Sequence, residues 1–312
     1  MNDKLNKIDQ LSQDIGTLTS ETRNPASQHL DQMSALEIAT LMNAQDVLVT
    51  QAVQTQLIPI GQAIDAAALA LSNDGRIIYV GAGTSGRLGI LDASECPPTF
   101  GVSPDRVVAL IAGGKDAMFT AQEGSEDNHA QGAQDLLDIQ ITDKDVVIGL
   151  AASGRTPYVL GAIEKANELD ATTIAITCNP NTLLEAAAKV GIIPIVGPEI
   201  LTGSTRLKSG TAQKMILNMI STGAMVQVGK CYGNLMVDLK VSNQKLKARA
   251  LKLLCDTTQI DTQKATSILV AADWNVKTGI LMSKANVSAE TAIKILVKNN
   301  GKLAIAIEKL NI

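Results

Sequence analysis

The stretch YVGAGTSGRLGILDASECPP, Tyr79 to Pro98, opens with Gly-x-Gly-x-x-Gly at Gly81, Gly83 and Gly86, directly after the β-branched run RIIYV at 76–80. A strand, a glycine turn and a helix start, in that order, aim backbone N–H groups at an anion. A dinucleotide site would also call for an acidic residue about 20 positions on, at the end of the second strand, to hold a ribose hydroxyl. The carboxylate found there, Asp116, lies 30 residues beyond Gly86. Thr84 and Ser85 bring hydroxyls to the helix start, so the loop reads as a cradle for a single phosphate. The helix after it is expected to be short and to end by Pro97 and Pro98, because proline cannot continue a helix interior.

Outward from this loop the texture repeats. Short apolar runs, RVVALIA at 106–112, DVVIGLA at 145–151, TTIAIT at 172–177 and GIIPIV at 191–196, alternate with glycine-bearing turns and helical stretches. That alternation predicts an α/β fold with a parallel five-stranded sheet flanked by helices. Three- and four-residue apolar spacing before residue 75 predicts packed N-terminal helices, and the same spacing from about Asn243 predicts a small C-terminal helical module. We read the chain as an N-terminal helical segment (1–66), an α/β domain (67–235) and the C-terminal module (236–312).

Ligands of parallel sheets bind beyond the carboxyl ends of the strands. AASGRTPYV repeats the chemistry of the first loop there: Ser153, Gly154, Arg155 and Thr156 follow a strand, and Pro157 opens a helix. Ordinary turn and N-cap roles would explain either loop alone; two in one sheet point to a phosphorylated ligand gripped from both sides. Carboxylates stand close by: Asp92 and Glu95 at i, i+3 spacing, and Glu123, Glu126 and Asp127 in QEGSEDNH. One as acid and another as base would suit isomerisation, elimination or hydrolysis. In LTGSTRLKSGTAQK, Ser204, Arg206 and Lys208 fit a helix cap with solvated cations. The cations Lys240, Lys245, Lys247, Arg249 and Lys252 read as one face of a surface helix.

The composition bounds the remaining possibilities. The 312 residues are 46% hydrophobic and 19% charged, as expected of a globular chain with a substantial core. A net charge of −4 gives no footprint for nucleic acid, and no apolar run is long enough to cross a bilayer. The polar N-terminus predicts a cytoplasmic protein. Four scattered cysteines read as buried thiols, and with only two histidines in the chain, carboxylates must carry most proton chemistry.

The stretches YVGAGTSGRLGILDASECPPTFG, IAGG, EGSED, GLAASGRTPYV, CNP, PIVGPEILTGSTRLKSGTAQK and YGNLMVDL, with TETRNPAS near residue 20, resemble the N-acetylmuramic acid 6-phosphate etherases, bacterial enzymes of cell-wall sugar recycling built on a sugar isomerase (SIS) domain. The resemblance runs to at least Asn243 and implies a lyase that releases D-lactate from C3 of an amino-sugar phosphate. It implies Glu95 as the acid that protonates departing lactate and Glu126 as the base at C2. An acid near neutral pH must hold its proton, which partial burial or a neighbouring carboxylate such as Asp92 would bring about. Thr84, Ser85, Gly86, Ser153, Gly154, Arg155 and Thr156 fall on the phosphate-cradle motifs, and the third matching stretch implies that Ser204, Arg206 and Lys208 complete a sugar or carboxylate site, the alternative to a helix cap with solvated cations. The resemblance further implies a homodimer that needs no metal or organic cofactor. A sugar-phosphate isomerase would have no leaving group to protonate, and a sugar-phosphate sensor would not need the glutamates.

Overall fold

The computed structural model describes Gly16 and residues 18–311. Two compact units emerge: one formed by the chain up to Asp92 together with Val107–Ile220, the other by Ala93–Arg106 with Ser221–Ile312.

The first unit is built on five parallel strands, β1 (Ile77–Gly81), β2 (Val107–Ile111), β3 (Val146–Leu150), β4 (Thr172–Ile176) and β5 (Val190–Ile192), in the order β2-β1-β3-β4-β5. Every residue of β1 and β3 is buried. Strands covered on both faces must be apolar throughout rather than alternating, which is why these runs read so clearly in the sequence. Helices α1 (Ala35–Gln54) and α2 (Leu57–Ser72) precede the sheet. At the start of α1, Ser34 and Glu37 form a reciprocal capping box. Along the chain follow α3 (Gly83–Phe100), α4 (His129–Asp138), α5 (Pro157–Glu168), α6 (Leu183–Ala187) and α7 (Lys208–Gln227). Tyr158, Val159 and Ile163 of α5 pack on Ile78, Val80 and Val147 in one buried cluster.

Two elements differ from the sequence expectation. α3 does not stop at the prolines but runs through Pro97 and Pro98 to Phe100. Each proline gives up the bond to the carbonyl four residues back, yet the helix continues for two more residues. The stop comes from Gly101, left-handed at φ +63°, whose N–H reaches Pro97 O at 2.9 Å. β5 is shorter than GIIPIV suggests, because Pro194 has no N–H to give to a ladder.

The second unit carries α8 (Gln244–Thr258), α9 (Thr262–Ala271), α10 (Val276–Ala285), α11 (Ala289–Lys298) and α12 (Leu303–Lys309). Leu254, Leu269, Ile280, Leu281, Leu296 and Leu303 meet in its core. Buried Lys277 joins Asp238 and the carbonyl of Gly229 within this unit. On α8, Lys247 lies 5.1 Å from the centroid of the Trp274 ring and Lys252 pairs with Asp256. No helix among the described residues is long and apolar enough to cross a membrane.

Candidate active site

In the order β2-β1-β3-β4-β5, the chain leaves β1 and β3 toward neighbours on opposite sides, which opens a crevice at their carboxyl ends. GAGTSGR follows β1 and ASGRTPY follows β3, so both hydroxyl loops flank that crevice.

The first loop's glycines are fixed by geometry. A Cβ on Gly81 would come within 2.6 Å of Gly86 N, and one on Gly86 within 2.9 Å of Gly81 O. Strand end and helix start therefore touch backbone to backbone, while Gly83 turns the chain at φ +51°. Ser85 is buried and its hydroxyl donates to Gln213 Oε1 at 2.8 Å. Half-buried Thr84 makes no side-chain hydrogen bond among the described residues. In the second loop, Gly154 is left-handed at φ +67° and backs onto the Thr182 side chain. Ser153 Oγ accepts from Arg155 N at 3.3 Å. Thr156 occupies the N-cap of α5, yet its side chain caps nothing. An ordinary capping role thus leaves the Thr156 hydroxyl unaccounted for.

A cavity of about 160 Å³ opens beside the first loop, lined by Gly83, Arg87, Gln122, Glu123, Ser125 and Glu126 among others. Glu126 stands exposed in a single 3-10 turn, Ser125–Asp127, that follows left-handed Gly124. The loop leading to it is held from α3: Arg87 Nη2 donates to Ala117 O at 2.8 Å and Nε to Met118 O at 3.0 Å. One cavity therefore joins a helix start suited to an anion with two carboxylates suited to proton transfer.

The other expected residues fall differently. Asp92 is buried, and its Oδ2 accepts from the Tyr79 hydroxyl at 2.8 Å. Glu95, one turn further along α3, is exposed and belongs to the second unit. The burial expected of a proton-holding acid is thus not seen at Glu95 among the described residues. Ser204 lies half-buried in the turn before α7, and Arg206 is exposed.

Lys208 is buried rather than solvated. It is 1% exposed, and its ammonium donates to Val196 O at 2.8 Å and Gln45 Oε1 at 3.1 Å. Burial pulls its pKa below the ordinary lysine value, against the opposing charges of Glu199 and Asp46. Glu199, itself buried, accepts from the Lys208 and Ser209 N–H groups, so the start of α7 is already occupied by a carboxylate. Burial pushes the neighbouring Cys178 thiol up to about 12.

Sequence reasoning missed Gln213 and Arg87. Gln213 is a polar residue on the apolar stripe of α7, and that mismatch was the signal available. Arg87 lay inside the quoted glycine loop, but its two carbonyl partners sit about thirty residues away.

Residues 60–167 match the glucokinase regulatory protein N-terminal SIS domain family, 126–222 the SIS domain family, and 233–302 the C-terminal lid domain of glucokinase regulatory protein. The N-acetylmuramic acid 6-phosphate etherase of Salmonella typhi is 52% identical over 294 residues, which cover 94% of this chain and 99% of that protein. The chain belongs to the N-acetylmuramic acid 6-phosphate etherases. A second etherase relative, N-acetylmuramic acid 6-phosphate etherase 2 of Vibrio cholerae, is also 52% identical, over 95% of this chain and 96% of its own. Among solved structures, a phosphoheptose isomerase from Francisella tularensis aligns with 62% of this etherase chain and the whole of its own, at 18% identity and a TM-score of 0.48.

Proposed function

We propose that this chain cleaves the D-lactyl ether of N-acetylmuramic acid 6-phosphate to give N-acetylglucosamine 6-phosphate and D-lactate. In the open-chain sugar, C2–H is acidic because the charge left on its removal spreads onto the C1 aldehyde oxygen. Glu126 takes that proton, and the C2 electron pair forms the C2–C3 double bond as the C3–O bond breaks. Glu95 gives its proton to the departing ether oxygen, and water then adds across the unsaturated aldehyde to restore a hydroxyl at C3. Thr84, Ser85, Gly86, Ser153, Gly154, Arg155 and Thr156 hold the 6-phosphate, with Ser204 at the rim.

The observation that carries this reading is the cavity shared by Gly83 and Glu126, in a chain 52% identical to etherases over nearly its full length. An anion at the helix start would bring the remainder of a short sugar within reach of the carboxylate. The exposure of Glu95 supports a homodimer, in which a second copy would supply the burial that an acid of this kind needs. A sugar phosphate does not cross membranes unaided, so we assign the reaction to the cytoplasm.

The test is to incubate the purified protein with N-acetylmuramic acid 6-phosphate and assay D-lactate, with Glu95→Gln and Glu126→Gln alongside. Release by wild type and its loss in both variants is the expected result. Absence of release from wild type that still binds the sugar phosphate would overturn the etherase reading in favour of a sensor.

A further inference from the structure

Gln213 lies on α7 and is 1% exposed. Its Oε1 accepts the Ser85 hydroxyl proton at 2.8 Å, while its Nε2, buried, has no hydrogen-bond partner among the described residues. α7 is close to this loop at a second point, since a Cβ on Gly210 would lie 3.6 Å from Thr84 Cγ2. A buried amide donor without a partner is uncommon and costs stability. Its position, on the same amide that holds a cradle hydroxyl, gives it a use.

We infer that Gln213 is a positioning residue for phosphate: its amide sets the direction in which the Ser85 hydroxyl donates. The inference rests on the phosphate-cradle reading above. In the orientation found, the single Ser85 proton is spent on Gln213, and Ser85 would offer an anion only lone pairs. Half a turn of the amide brings Nε2 to Ser85 Oγ as a donor and releases the hydroxyl proton toward a phosphate oxygen. That turn moves the missing partner from Nε2 to Oε1, so the empty site gains nothing by it. A bound anion changes the balance, because a hydrogen bond to a charged acceptor is about twice as strong as a neutral one. The amide is thus a two-state element biased by the ligand's charge.

The test measures binding of N-acetylglucosamine 6-phosphate, and KM with kcat, in wild type, Gln213→Glu, Ser85→Ala and the double variant. A glutamate has the amide's shape but, ionised at pH 8, can only accept, so it keeps the Ser85 proton. The expected result is a ten- to hundredfold weaker affinity, on the order of one charged hydrogen bond, with kcat at saturation little changed. In the Ser85→Ala background the same change should cost at least about fivefold less than in wild type, because the hydroxyl's share of the effect is gone and only the carboxylate's repulsion of phosphate, common to both backgrounds, is left. Equal loss in both backgrounds, or equal binding by wild type and Gln213→Glu, overturns the inference and leaves the etherase reading standing. Failure of wild type to bind the sugar phosphate overturns both. Should the glutamate variant not fold, Gln213→Met carries the test: unable to hold the proton, it should bind within about fivefold of wild type, and a loss beyond roughly tenfold overturns the proposal.

Discussion

Position 154 admits only glycine. Its φ of +67° lies in the left-handed region, and a Cβ there would stand 2.4 Å from the Thr182 hydroxyl oxygen. Gly154→Ala therefore combines backbone strain with a clash and should cost about 2–4 kcal/mol in denaturant unfolding, with weaker sugar-phosphate binding. An alanine variant as stable as wild type would contradict that geometry. At Lys208 the split runs the other way. Truncation to alanine opens a cavity and strips Val196 O of its donor, so stability should fall by about 2–3 kcal/mol while KM stays within about twofold. A rise in KM without loss of stability would instead support the substrate role that the resemblance implies. That role was easy to read because LTGSTRLKSG looks like a polar loop. The burial of its lysine depends on Gln45, 163 residues away, and no local pattern carries such a contact.

The elements explain why most of the cradle was legible and Glu126 less so. β1 and β3 are buried on both faces, so their apolar runs are continuous, and the loops that follow them sit at the switch of strand order. Glu126 sits in an exposed single turn with no periodicity, where only resemblance could single it out. What holds that turn's approach is Arg87, whose planar fork reaches two carbonyls at once. Lysine keeps the charge but has no fork, so Arg87→Lys should loosen the loop carrying the base. Lactate release at saturating substrate should then fall by roughly tenfold, with KM changing less, as expected when a reacting group is misplaced. A variant with raised KM and intact kcat would instead make Arg87 a substrate ligand. The misread length of α3 has an equally local cause: the prolines weaken its last turn without ending it, and left-handed Gly101 supplies the stop.

For the molecule as a whole, the acid limit of stability should be set far from the chemistry, at the ends of the strands opposite the cradle. There Asp145, 1% exposed, accepts from Arg76 N at 2.8 Å, from Arg76 Nη2 at 2.7 Å and from Thr142 N at 2.9 Å. The same guanidinium donates to Ile139 O and Gln140 O, so one ion pair joins the starts of β1 and β3 to the end of α4. Burial alone would raise the Asp145 carboxyl, but the bonds from Arg76 and Thr142 outweigh it and hold the pKa below the ordinary aspartate value. A carboxyl lowered by folding contributes stability that is complete above the unfolded aspartate value, about pH 4, and is lost as pH falls through the folded one. Unfolding free energy measured from pH 7 down to pH 2 should therefore drop steeply below about pH 4. In Asp145→Asn that part of the slope should be missing, because the asparagine has no proton to take up. The variant should be less stable at pH 7 by about 2–4 kcal/mol, the cost of leaving Arg76 without its anion, and should approach wild type at the acid end. Its KM for the sugar phosphate should not move, since the pair lies at the far end of the strands from both hydroxyl loops. Parallel pH curves for the two proteins would show that some other carboxylate governs acid unfolding.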